Sequence, residues 1–475
     1  MKKGPFIHLF ETPFGYYFYD VNKNTQLKIS EESYRYLSES SNHECDSTTV
    51  PEEINALRSK GYLSTQRPRR IEHPMTNRLE HELSNNVHQM TLQVTKQCNF
   101  RCAYCVYGDV AFDAQRKHKA DFMDFETAKR ALDFLAVYSK DQEDVVIGFY
   151  GGEPLLAFPL IKKAIQYTKE IFGDKKVSFT TTTNASLLTP NIAKFLFDHD
   201  CSIMLSLDGP SEVQNESRRY AATGQGSYNV VMDNIRRIVE QMPDSISKLS
   251  VNTVVDPRND YGDITRFFDT QEVFTKMNCR RTLVDDAYFI EKSLPTNDYT
   301  IPKEKQLFFA LLNKFGLYSG GQLSAASMQD LKSMFESFAK DMGKTTSLPD
   351  VIAPGGPCVP GQRRVFVTTS GDLYPCERVS ETSDAMKIGH IDSGFDLEKA
   401  SRVLNIGKLT EDECRECWAI RHCQLCAKHC DKDGTLSGEV KKTFCNGIKT
   451  DTDQKMRLSI LVYEMENRYG RKQTG

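Results

Sequence analysis

Residues 95–108 read TKQCNFRCAYCVYG. Cys98, Cys102 and Cys105 fall there in C-x3-C-x2-C spacing, with an aromatic residue, Tyr104, just before the last thiol. Thiolates this close together suit a metal centre held by one loop. A zinc ion wants a fourth Cys or His nearby. The nearest following candidate, His118, sits in a polar, lysine-rich stretch without ligand spacing. Three thiolates on a four-iron cluster would instead leave one iron open to substrate.

The rest of the chain sets bounds on what such a loop does. It has 475 residues, 14 of them cysteine, with 26% charged residues and a net charge of −3. That length predicts two or three domains. The balanced charge excludes a strong basic field for nucleic acid. No apolar run approaches the roughly 20 residues that cross a bilayer. The start, MKKGPFIHLF, has no sustained apolar core or small-residue cleavage site, so we expect no membrane partner and a cytoplasmic location. In that reducing compartment the cysteines are metal ligands or catalytic groups rather than disulfides. Cys45, Cys201 and Cys279 are isolated and read as small buried hydrophobes. Eight of the 14 lie between Cys358 and Cys445, where uniform spacing would put about 2.6.

Around the loop, strand-like runs recur at 90–95, 145–150, 177–183, 202–207, 250–255 and, more weakly, 281–285. Helical stripes lie between them, with Ala128, Ala131, Leu132 and Leu135 on one face and Ile161, Ala164 and Ile165 on another. Strand–helix alternation predicts a parallel sheet, hence an α/β fold.

With these elements in place, the cysteine loop resembles that of the radical S-adenosylmethionine (SAM) enzymes. The resemblance implies a partial (β/α)6 barrel with its active residues at the C-terminal strand ends. It implies a [4Fe-4S] cluster on Cys98, Cys102 and Cys105, whose open iron binds the amino and carboxylate groups of SAM. Reductive cleavage of SAM then yields a 5′-deoxyadenosyl radical that abstracts hydrogen from an unactivated C–H bond. That chemistry belongs to the cofactors, and the protein supplies position and water exclusion. Strand two ends in Tyr150-Gly151-Gly152-Glu153-Pro154. The glycines would let backbone approach a ligand, and Glu153 would accept bonds from the SAM ammonium. Strand three ends at Thr183-Asn184-Ala185, where relatives carry Asn-Gly. Ser206-Leu207-Asp208-Gly209-Pro210 with the following Arg218 is similar to the family's SLDGP segment. We assign Ser206 and Arg218 to the ribose and carboxylate of SAM, with Arg219 as the alternative. Tyr104, Asn184 and Asp208 join the same cofactor-binding set. GQGSYNVVMDNI (224–235) matches the family's next loop and helix.

The C-terminal cysteines form two blocks. The first is Cys358-x12-Gly371-x4-Cys376; the second, CRECWAIRHCQLCAKHC, holds Cys414, Cys417, Cys423, Cys426 and Cys430, and Cys445 follows. This pattern resembles the SPASM extension, which binds two auxiliary four-iron clusters and brings the total to three. Residues 388–391 are similar to the short strand after its hairpin. By that resemblance Cys414, Cys417, Cys423 and Cys445 hold an outer cluster. Cys358 and Cys376 hold an inner one together with a cysteine of the second block. The family position is 427, here an alanine. Cys426 is preferred, with Cys430 as the alternative or a fourth inner ligand. A zinc ribbon built from two C-x2-C pairs is the rival reading of the spacing.

Residues 1–88 open with a hairpin expected around Pro13 and Gly15 and helices expected at 30–37 and 51–63. In size and order they resemble the winged-helix-like domains by which maturases of ribosomally made peptides take a leader as an added strand. The expected organisation is a recognition domain with a linker at 64–88, a barrel over 89–300, a helical bridge over 301–350, a SPASM domain over 351–455 and a C-terminal helix or tail over 456–475. The bridge is expected to hold helices near 303–316 and 327–342 around Gly320 and Gly321. The implied enzyme is a peptide maturase that installs a cross-link, by preference a Cys thioether. Its implied partners are a ribosomally made precursor peptide and a flavodoxin- or ferredoxin-type electron donor. A carbon–carbon cross-linking maturase, an anaerobic sulfatase (formylglycine) maturase and a non-catalytic zinc-binding protein stay open as alternatives.

Overall fold

The computed structural model describes residues 4–41, 49–108, 117–285, 287, 289, 293–320, 323–325, 327–329, 331–332, 345–354, 356 and 358–469. Cys45, Gly321, most of the helix expected near 327–342 and the tail from 470 lie outside them. At the N-terminus β1 (Ile7–Thr12), β2 (Gly15–Asp20) and β3 (Thr25–Ile29) form an antiparallel sheet, followed by α1 (Glu31–Ser41) and α2 (Glu52–Ser59). The expected hairpin and both helices are there. The third strand is an addition, because TQLKI is too short to stand out from the turn before it.

The stretch 64–88, expected as a linker, is ordered. It carries β4 (Arg70–Ile71) and α3 (Leu79–Asn85), and α3 buries Leu79 and Leu83 in the main core. Two apolar residues at i and i+4 suffice to dock a short helix, yet they give no periodic signal in a polar stretch.

The main sheet follows. Its elements are β5 (Gln89–Thr95), β6 (Phe100–Cys102), α4 (Phe125–Tyr138), β7 (Asp144–Gly151), α5 (Phe158–Phe172), β8 (Lys176–Thr183), α6 (Pro190–Asp198), β9 (Cys201–Ser206), α7 (Ser211–Ser217), β10 (Arg218–Tyr220), α8 (Tyr228–Gln241), β11 (Leu249–Val255), α9 (Tyr261–Thr270) and β12 (Asn278–Leu283). The strands β5, β7, β8, β9, β11 and β12 pair in parallel in that order, each within a few residues of its expected span. The α4 stripe Ala128, Ala131, Leu132 and Leu135 is fully buried, as are Ile161 and Ile165 on α5. Burying such a leucine or isoleucine contributes about 1.5–3 kcal/mol. The stripe therefore fixes which face of each helix meets the sheet.

Beyond the barrel come α10 (Asn297–Lys314), β13 (Val351–Ile352), β14 (Val365–Val367), β15 (Asp372–Tyr374), β16 (Gly389–His390) and β17 (Gly394–Phe395). The Thr296 side chain accepts from Tyr299 N and starts α10 six residues before the expected 303. β13 pairs with β4, and β14 pairs in parallel with β5. The cysteine-bearing hairpin β14–β15 thereby extends the barrel sheet instead of standing apart from it. The last helix, Gly438–Tyr469, runs unbroken through position 455 and packs Met456 and Ile460 against Phe10 and Tyr17 of the N-terminal sheet.

Candidate active site

β5 ends at Thr95, three residues before Cys98, and the loop that follows is pinned by the end of β7. Gly152 N and Glu153 N donate to the carbonyls of Thr95 (3.0 Å) and Gln97 (2.9 Å). A Cβ on Gly151 would lie 2.1 Å from Thr95 O, and one on Gly152 2.3 Å from Gln97 O. These glycines are required by protein backbone; the close approach expected for a ligand is made by the cysteine loop itself. Phe100 N points at Cys98 Sγ (3.3 Å) and Tyr107 N at Cys105 Sγ (3.4 Å). Desolvation pushes the Cys98 thiol up to about 12 and raises Cys102 as well. Such thiols become thiolates on binding a metal, which displaces their protons. His118, passed over on spacing, comes within 3.7 Å of Cys105 Sγ.

Glu153 is fully buried. Its carboxylate accepts from Leu155 N (3.0 Å), Thr183 Oγ1 (2.7 Å) and Asn184 N (2.7 Å). Desolvation raises it to about 7 while those donors pull the other way. Three donors leave one of roughly four acceptor sites for an ammonium. Asn184 Nδ2 reaches Asn99 Oδ1 (2.9 Å) and Cys98 Sγ (3.8 Å), so the end of β8 joins the same site. Ala185, where relatives carry glycine, holds φ +60° and is fully buried. The turn keeps the left-handed backbone at the expense of strain.

Asp208, at the end of β9, is nearly sealed. It accepts from Arg218 Nε (2.8 Å) and Nη2 (3.1 Å), from Val254 N (3.1 Å) and from the Tyr104 hydroxyl. All four acceptor sites are therefore taken, and Asp208 holds Arg218 and Tyr104 in place instead of facing a ligand. β10 pairs with β6 so that Arg218 stands opposite Cys102. Arg218 is turned inward, whereas Arg219 is exposed on the carbonyls of Glu216 and Gly224. Of the two arginines, Arg218 is the one at the site. Ser206 closes β9 half-buried, paired with Asn252 of β11.

The later cysteines form two groups. Desolvation pushes Cys376 up to about 12, with Cys358 and Cys426 close enough to add to it. Cys414, Cys417, Cys423 and Cys445 line one cavity of about 190 Å³. Ala427 packs in the hydrophobic core, as does the fully buried Cys430. Cys430 lies between the groups, near Cys426 on one side and Cys423 and Cys445 on the other. Among the described residues no three His, Cys, Asp or Glu side chains converge on the position of a single ion. The donor set of the four-cysteine cavity and of the three-cysteine loop, all thiols, suits an iron–sulfur cluster. Sequence reasoning also missed Lys441, buried in the wall of that cavity. Its one signal was the i, i+4 spacing to Cys445, which puts both on one helix face.

The pattern of the Radical SAM superfamily matches residues 92–270. An uncharacterized protein of Methanocaldococcus jannaschii is 37% identical over 25% of this chain and 38% of its own length. The radical SAM cyclopropyl synthase TigE of Paramaledivibacter caminithermalis is 23% identical over 48% of this chain and 50% of its own length. The chain thus spans half or less of the length of these two relatives. The cysteine-type anaerobic sulfatase-maturating enzyme of Clostridium novyi is 23% identical over 78% of this chain and 94% of its own length. The solved structure of native anSMEcpe with bound AdoMet superposes with a TM-score of 0.58 at 21% identity, covering 79% of this chain and 99% of that one. The same protein with AdoMet and the Cp18Cys peptide gives 0.57 at 19%, over 80% and 99%. At such identities these two likenesses are of fold. Family pattern, cysteine loop and parallel sheet agree: residues 92–270 carry the Radical SAM superfamily pattern, and the chain is similar to the anaerobic sulfatase maturases.

Proposed function

We propose that this enzyme is a SPASM-type maturase that abstracts hydrogen from a ribosomally made peptide and installs a cross-link, by preference a Cys thioether. Cys98, Cys102 and Cys105 would hold the SAM-binding cluster, with Glu153 and Asn184 beside it and Ser206 and Arg218 towards the rest of SAM. When bound, SAM and the reduced cluster supply the 5′-deoxyadenosyl radical. Cys414, Cys417, Cys423 and Cys445 would hold the outer cluster. Cys358, Cys376 and Cys426 would supply three ligands to the inner one, and a peptide cysteine would take the fourth place, where an iron keeps it deprotonated. A flavodoxin- or ferredoxin-type protein would deliver the electron.

The observation that carries this reading is the N-terminal sheet. β3 is its open edge, pairing only with β2 among the described strands. β1 is covered by the last helix, through His8 on Asp453 (2.7 Å) and Arg457 on the Glu11 carbonyl. An edge with free backbone groups can take a peptide as a further strand. A formylglycine maturase is the second reading, favoured by the Clostridium novyi relative, which is matched over 94% of its length.

The test incubates the reduced enzyme and SAM with a short Cys-rich precursor encoded beside it, with and without its leader. Cross-linking removes two hydrogens from the peptide and leaves no aldehyde. A hydrazide-reactive aldehyde instead selects the second reading. Equal turnover of leader-bearing and leaderless peptide refutes leader docking.

A further inference from the structure

Lys441 is 1% exposed, one of the largest fully buried side chains of the protein. Its ammonium donates to the Thr410 hydroxyl and lies 3.1 Å from Cys414 Sγ. Thr410 Oγ1 is itself 3.3 Å from the same sulfur. Lys441 lines the four-cysteine cavity with Cys414, Cys417, Cys423 and Cys445. The nearby acids Glu413 and Glu439 are engaged by its neighbour Lys442, at 2.6 and 3.1 Å. Among the described residues no carboxylate pairs with Lys441.

A buried ammonium without a carboxylate is costly unless another anion faces it. The anions available here are thiolates. Around the inner group two cations are paired, Arg364 with Glu377 (2.6 Å) and Lys428 with Asp285, while Arg363 adds a further positive charge near Cys358. Lys441 differs from these in being sealed from solvent against a cysteine sulfur.

We propose that Lys441 raises the reduction potential of the outer cluster. This rests on the reading that Cys414, Cys417, Cys423 and Cys445 hold a four-iron cluster. Reduction adds one negative charge to a cluster, and a fixed positive charge beside a ligand sulfur stabilises the reduced form. Low local dielectric strengthens the effect, since the cavity wall excludes water. An electron shared between the two auxiliary clusters is thereby drawn towards the outer one. Lys441 is a positioning residue and touches no substrate.

The test uses the full chain carrying Cys98→Ala, Cys102→Ala and Cys105→Ala, which leaves the two auxiliary clusters. Lys441→Gln and Lys441→Met remove the charge, and Lys441→Arg keeps it. Iron and sulfide are counted, and both potentials are read by EPR-monitored redox titration. The proposal expects about eight irons throughout. One potential moves negative in the Gln and Met variants, the other stays, and the Arg variant remains near its parent. Gln and Arg variants that titrate together at full iron content overturn the tuning role. Iron loss from all three variants also overturns it, because Lys441 is then scaffold. A parent with about four irons or fewer refutes the two-cluster reading itself, which is a separate failure.

Discussion

Arg218 and Asp208 form a forked ion pair, Nε to Oδ2 at 2.8 Å and Nη2 to Oδ1 at 3.1 Å, with both side chains almost sealed from solvent. The pair ties the end of β9 to β10, and β10 carries Arg218 across from Cys102. Two partners ten residues apart in sequence thus lock the second wall of the site to the cysteine loop. The Tyr104 hydroxyl closes the network from the loop side.

Removing one partner of a buried pair leaves the other charge uncompensated. Arg218→Ala should therefore cost about 3–5 kcal/mol of stability. Arg219→Ala, on the exposed neighbour, should stay within about 0.5 kcal/mol. Urea unfolding midpoints under anaerobic conditions compare the two, and equal midpoints would refute the assignment of Arg218 as the inward residue.

Gly152 has no room for a side chain, because its Cβ would meet Gln97 O at 2.3 Å and Cys98 Cβ at 3.0 Å. The Gly152→Ala change should push the loop out of place and strip about four of about twelve irons. Iron analysis of the purified variant checks this. Full iron with normal SAM cleavage would show that the loop tolerates the shift.

Much of this site was legible in the sequence. Among the parallel strands β5 is buried along nearly its whole length and reads as an apolar run, whereas β12 is largely exposed and reads only weakly, and the thiols announced themselves by spacing. Three things were hidden. Lys441 reads as an ordinary solvated lysine until the fold closes over it. Val365–Val367 is too short to reveal that it joins the barrel at β5. The union of N- and C-termini, with Phe10 and Tyr17 against Met456 and Ile460, is a tertiary fact without local signature. It also means that deleting residues 1–88 would uncover a core, so leader dependence is better tested on the peptide than by truncation.

Ala185 holds a left-handed backbone that costs an L-residue roughly 1–2 kcal/mol. Glycine would relieve it but adds about 0.4–1 kcal/mol of unfolded-state entropy. The Ala185→Gly variant should be more stable by about 0.5–1 kcal/mol, read as a higher Tm. A lower Tm would mean that the buried methyl contributes more than the strain costs.

Cys430 is fully buried beside Ala427 in the main core and lies between the two cysteine groups. The Cys430→Ala variant should keep about twelve irons and its cross-linking activity. Loss of about four irons would make Cys430 a ligand and close the inner site to a peptide thiolate.

The account stands most directly on one measurement: 5′-deoxyadenosine formed from SAM by the dithionite-reduced Cys98→Ala, Cys102→Ala, Cys105→Ala variant. In the proposed reading the loop's thiols are the iron's protein anchors, so no binding energy elsewhere can replace them. The account predicts no 5′-deoxyadenosine while about eight irons remain bound. Continued formation of 5′-deoxyadenosine by the variant would contradict it.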